Sequence, residues 1–177
     1  MLLVSVPHTG TRFLQGLTNA PFMHSYEYTT PQNIVDRGGS DILCAPLRDP
    51  WEVWKTWYQR YPNLFYILDP DHPKSMETAW RSLAALDREF GSVIYIPVDV
   101  PDRRDEQLQS LSEAMGRDLS TDWEPVAART QEKKLREVPE KDLSWIYQLP
   151  FVEEFYGGKA QASGKVEEDL DFLAAIV

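Results

Sequence analysis

The chain has 177 residues, 42% of them hydrophobic and 12% aromatic, which suits one domain with a real core and excludes a disordered chain. Its formal net charge of −10 tells against a general nucleic-acid binder, because a phosphate backbone demands a basic face. A small anionic ligand stays open, since a few local cations and backbone N–H groups can hold one against the global field.

The lone cysteine, Cys44, cannot form an internal disulfide, and within Ile42-Leu-Cys-Ala45 it reads as a small buried residue. Met1 to Val6 lacks a basic n-region and is too short for the apolar core of a signal peptide. No apolar run approaches the roughly 18 residues of a spanning helix, so a cytoplasmic location and no membrane partner are expected.

In chain order, Leu2 to Val6 reads as a buried strand, followed by a Pro-His-Thr-Gly turn and a helix from Thr11 to Leu17. Phe22 to Tyr28 reads as a second strand, Pro31 to Arg37 as a short helix, and Asp41 to Leu47 as a third strand. Asp49-Pro50 opens the next helix, with Asp49 as N-cap and Pro50 in the first turn. Tyr61 to Pro73 reads as a loop, Lys74 to Phe90 as an amphipathic helix, Ser92 to Val98 as a fourth strand, and Arg104 to Met115 as a helix. Lys141 to Tyr156 has a weaker helical pattern. Gly157 to Gly164 reads as a link, and Val166 to Val177 as a short amphipathic tail.

Strands nearly continuous in apolar residues, alternating with helices, predict a three-layer α/β domain with a mainly parallel sheet and helices on both faces. The expected division is one domain over 1–156 and a linker with tail over 157–177.

Strand, glycine turn and helix in succession make an anion site, because the first N–H groups of the helix point outward along its dipole. Gly10 admits the backbone to the ligand, Thr9 and Thr11 bring hydroxyls, and Arg12 brings a full charge. An ordinary βα turn has the same local pattern. The pattern G-x-x-x-x-G-K-[ST] of nucleotide-binding loops is absent; Gly158 to Val166 approaches it, with the wrong spacing and no strand before it.

Pro7-His-Thr-Gly-Thr11 resembles the phosphosulfate-binding loop of the sulfotransferase family, roughly Pro-Lys-Ser-Gly-Thr-Thr after the first strand. Thr9 replaces its serine, and His8 stands where the family has lysine, the cation of the departing phosphate. A histidine does that work only when protonated, which a neighbouring dianion favours. Ile42 to Thr56 resembles the second signature of that family, in which a strand ends in arginine and a hydroxyl residue follows eight positions later. Here these are Arg48 and Thr56. The likeness covers residues 1 to 120, and beyond the two motifs it is topological only.

The resemblance implies a P-loop-like sulfotransferase fold of reduced size and a sulfotransferase activity. The donor would be 3′-phosphoadenosine 5′-phosphosulfate, with Pro7 to Arg12 at its 5′-phosphosulfate and Arg48 with Thr56 at its 3′-phosphate. Sulfuryl transfer to a hydroxyl also needs a base. The family places a histidine or glutamate near the end of the second strand, where this chain has His24 and Glu27. Alternation along a strand puts these two on opposite faces, so only one can face the donor.

The acceptor class stays open among small molecules and saccharides, and no residues have metal-ligand spacing. Its selectivity is expected from the Tyr61 to Pro73 loop and the segment after Trp123, since loops on such sheets carry it. A nucleotide or small-molecule kinase and a non-catalytic nucleotide-binding relative are the alternatives. Trp51, Trp54 and Tyr58 share a helical stripe, with Trp57 beside it, and read mostly as core.

Overall fold

Four consecutive apolar or small residues, Leu2–Ser5, are all fully buried and form the first strand, β1. A computed structural model describes residues 1–28, 30–37, 42–60, 69–119 and 138–162, save the side chains of residues 60 and 160–162. After β1 come α1 (Thr11–Thr18), β2 (Phe22–His24), a 3-10 turn (Ser25–Glu27) and α2 (Pro31–Asp36). Then follow β3 (Leu43–Leu47), α3 (Pro50–Arg60), α4 (Met76–Phe90), β4 (Val93–Pro97) and α5 (Pro101–Met115).

All described strands are parallel, in the order β2-β1-β3-β4. β3 is buried at every position, as a central strand covered on both faces must be. Leu3, Cys44 and Ile96 project to one face, where Leu14 of α1 and Leu108 and Leu111 of α5 close over them. Each such side chain contributes about 1.5–3 kcal/mol when taken fully out of water. On the other face Tyr95 donates to Asp87 of α4 at 2.8 Å, and Ala79, Trp80, Leu83 and Leu86 of that helix are buried. Helices thus lie on both faces, consistent with the expected three-layer α/β arrangement. Burial pushes the thiol of Cys44 well up, as expected of a packed residue.

The chain divides into Met1–Lys141 and Asp142–Val177. Within the second unit, α6 (Ser144–Tyr147) and α7 (Pro150–Tyr156) bury Ile146, Phe151, Val152 and Tyr156. Gly157–Ala162, read as part of a link, winds into a 3-10 helix. The tail from Val166 to Val177 lies outside the described residues.

Two local readings need correction. The second strand ends at His24, not Tyr28, because the buried Ser25 hydroxyl donates to the Ala79 carbonyl of α4 at 2.7 Å and the backbone turns to make that bond. The last helix of the sheet starts at Pro101, three residues before Arg104, with proline in its first turn where a missing N–H costs nothing.

Candidate functional site

After β1 the backbone takes a tight turn with two residues at positive φ, His8 and Gly10. His8 sits in the left-handed region at φ 71°, a conformation worth about 1–3 kcal/mol of strain that recurs at functional sites. Gly10, at φ 113°, is the N-cap of α1 and offers no side chain to the helix start. The Phe13 and Leu14 N–H groups donate to the Gly10 carbonyl. Those of Gly10, Thr11 and Arg12 have no partner among the described residues and lie at the positive end of the helix dipole. Pro7, His8, Gly10, Thr11 and Arg12 all border one cleft. Thr9 does not. Its side chain is fully buried and its hydroxyl donates to the Val6 carbonyl at 2.7 Å, so it braces the turn from behind.

Arg48 leaves the end of β3 between two anchored neighbours. The Val98 N–H donates to the Leu47 carbonyl at 2.9 Å, and the Asp49 N–H donates to Asp99 Oδ2 at 3.1 Å. Asp49 in turn caps α3, accepting from the Trp51 N–H at 3.0 Å as its position before Pro50 predicts. In the second turn of α3, the Thr56 hydroxyl accepts from Arg48 Nη1 at 3.2 Å and donates to the Glu52 carbonyl at 2.8 Å. The pair eight residues apart in sequence is therefore a pair in space. Glu52 Oε2 lies 3.9 Å from Arg48 Nη2.

At the end of β2, His24 Nδ1 lies 3.4 Å from the Ser5 hydroxyl, its register partner on β1. Its ring stands between Phe22, with centroids 5.6 Å apart, and Tyr26, with centroids 5.3 Å apart. Desolvation holds the imidazole below its ordinary value of 6.5, against the opposing pull of Glu27 and of the Ser5 backbone. The tautomer with hydrogen on Nδ1 satisfies Ser5 and leaves a lone pair on Nε2. His24 and Tyr26 both border the cleft, whereas Glu27 does not; it pairs with Arg37 at 2.7 Å. Of the two candidate bases, one borders the cleft, and that one is His24; the strand ends there, so the turn that carries Glu27 away, and not strand alternation, separates them.

The cleft holds about 650 Å³, within the usual range for small-molecule sites, and unites Pro7, His8, Gly10, Thr11 and Arg12 with His24, Arg48 and Thr56. It opens at the carboxyl ends of the strands, around β1, where the chain turns from building β2 on one side to β3 on the other. Ligands of open α/β sheets bind at such a switch point. Comparison of the chain with models of protein families, with curated proteins and with solved structures returns no match.

Five lining residues escape the sequence reading as site residues: Gln15, Phe22, Tyr26, Trp57 and Lys74. Trp57 is buried, meets the His8 ring edge-on at 5.7 Å between centroids, and its indole N–H has no partner among the described residues. Lys74 stands before α4, and topology alone could have found it. In a parallel sheet each helix that precedes a strand begins at the carboxyl end, so the residue before α4 arrives at the ligand side. Among the lining residues, Arg12, Arg48 and Lys74 are fixed cations and none is a carboxylate, in a chain whose net charge is −10. No group of metal-ligating side chains occurs among the described residues, and no helix of theirs is long and apolar enough to cross a membrane.

Proposed function

We propose that the cleft binds 3′-phosphoadenosine 5′-phosphosulfate and that the protein transfers its sulfuryl group to a hydroxyl acceptor, a small molecule or a saccharide. The observation that carries this is the cleft that joins the start of α1 to the Arg48–Thr56 pair, with three fixed cations and no carboxylate among its lining residues. In this reading the fold is a reduced sulfotransferase sheet, and the location is the cytoplasmic one expected of the sequence.

The unpartnered N–H groups at Gly10 to Arg12 receive the 5′ end of the donor, and Thr11 adds a hydroxyl. Arg48 forks onto the 3′-phosphate while Thr56 holds the guanidinium in register. His24 takes the proton of the acceptor through Nε2. The acceptor oxygen bonds to sulfur as the bond from sulfur to the 5′-phosphate oxygen breaks, and that oxygen keeps the electron pair. No metal enters this scheme. A magnesium-dependent kinase, the first alternative, needs an acid beside the phosphates, and the lining residues include none.

Calorimetry tests the binding half. Adenosine 3′,5′-bisphosphate is expected to bind, and ATP with magnesium to bind at least tenfold more weakly; the reverse order sinks the proposal. Turnover tests the chemical half and separates an enzyme from a non-catalytic relative. His24→Ala is expected to lower kcat by about 10²–10⁴-fold, the usual share of a positioned base. Because burial depresses the His24 pKa below 6.5, the neutral base predominates at pH 7 and is lost as pH falls through the lowered value. The wild-type kcat/KM profile therefore carries its acid limb below pH 6.5, and Glu27→Gln, which removes a charge that raises the His24 pKa, moves the limb to lower pH without abolishing it. A wild-type limb above pH 7, or full activity in His24→Ala, would remove His24 as the base.

A further inference from the structure

We propose that Lys74, delivered by the turn before α4, is the cation that supports the departing 5′-phosphate, in place of the lysine that His8 displaces from the loop. This assignment rests on the donor proposed above and names a residue of that same site. The donor brings two anionic ends, and the three cations of the cleft divide between them. Arg48 is committed to Thr56 and lies 3.9 Å from Glu52, which leaves Arg12 and Lys74 for the 5′ end. Neither side chain has a hydrogen-bond or ion-pair partner among the described residues.

The two differ in chemistry. A guanidinium is a planar fork suited to holding a fixed anion, whereas an ammonium is a compact charge with three donors on a flexible stem. As the bond from sulfur to the 5′-phosphate oxygen breaks, negative charge gathers on that oxygen, and a mobile point charge follows it.

The backbone that carries Lys74 is held firmly. Its N–H donates to His72 Nδ1 at 3.1 Å, and the Ser75 N–H to the His72 carbonyl at 2.8 Å. The buried Ser75 hydroxyl donates to the Pro70 carbonyl at 2.8 Å and caps α4 by accepting from the Thr78 N–H at 3.0 Å. A pinned backbone under an exposed, flexible stem costs the fold little and keeps the ammonium at the cleft.

Two nucleotide probes locate the charge. Adenosine 3′,5′-bisphosphate carries both phosphates, and adenosine 3′-monophosphate lacks the 5′ one. Lys74→Gln is expected to weaken the bisphosphate about tenfold, the loss of one charge-assisted hydrogen bond, and to leave the monophosphate within twofold. Donor turnover in the same variant is expected to fall about 100-fold in kcat, with partial recovery in Lys74→Arg. Thermal unfolding should not move, which separates this result from misfolding. Equal losses for both probes, or none for either with kcat unchanged, would overturn the assignment. If the wild-type protein binds neither probe, the donor proposal itself fails, an outcome distinct from the failure of Lys74.

Discussion

Replacing Arg48 by methionine is expected to weaken adenosine 3′,5′-bisphosphate by about 100-fold, since hydrogen bonds to a charged partner contribute about 1.5–3 kcal/mol each. Methionine keeps the length of the stem and removes the fork. Arg48→Lys should fall between the two, because an ammonium restores the charge without the bidentate geometry. Stability should hardly change. The ion pair with Glu52 is long, at 3.9 Å between side chains that are one-third or more exposed, and such pairs contribute little. Titration calorimetry beside a thermal melt checks both halves. Affinity within twofold of wild type would remove Arg48 from the phosphate grip.

The second large effect is on the fold of the loop itself. A Cβ at Gly10 would lie 2.9 Å from Val98 Cγ1 and 3.2 Å from Cγ2, and φ 113° is closed to L side chains whatever the space. Gly10→Ala is therefore expected to cost about 2–4 kcal/mol, from backbone strain and overpacking together. For a chain of this length that lowers Tm by about 5–15 °C. Adding Val98→Ala should recover the steric part and leave the backbone part, so the double variant melts between the single variant and wild type. An unchanged melt in Gly10→Ala would contradict the positive φ at this residue and its contact with Val98.

Local physics decides which parts of this molecule can be read in its sequence. β1 and β3 are legible because central parallel strands are apolar on both faces, so Leu2–Ser5 and Leu43–Leu47 have no competing helical period. The pairing of Arg48 with Thr56 is marked in the sequence only by the resemblance to a signature with that eight-residue spacing, and the structure brings the two within hydrogen-bond distance. The end of β2 is not legible. Tyr26 and Tyr28 favour strand, whereas the turn at Ser25 is tied by a bond to Ala79, 54 residues away, which no local pattern announces. Thr9 misleads for a related reason: a threonine in a turn can serve its own backbone as readily as a ligand. Lys74 is hidden because nothing in its neighbourhood marks a ligand residue; its place follows from the direction of α4 in the sheet. Residues 61–68 and 123–137, from which acceptor selectivity is expected, lie outside the described residues.

The pairing of Ser5 with His24 across β1 and β2 has a consequence for how the site can vary. The proposed base is indexed to the phosphate loop by strand pairing, as one tooth of a gear is indexed to another. Successive side chains of a strand alternate between faces, so a slip of one position would bring buried Met23 to the place of His24 and take the proposed base out of the cleft. The spacer that sets the index is short: α1, then Asn19 in the left-handed region, then Ala20, whose N–H donates to the Thr18 hydroxyl at 3.3 Å. The length of that spacer is what the proposed arrangement depends on.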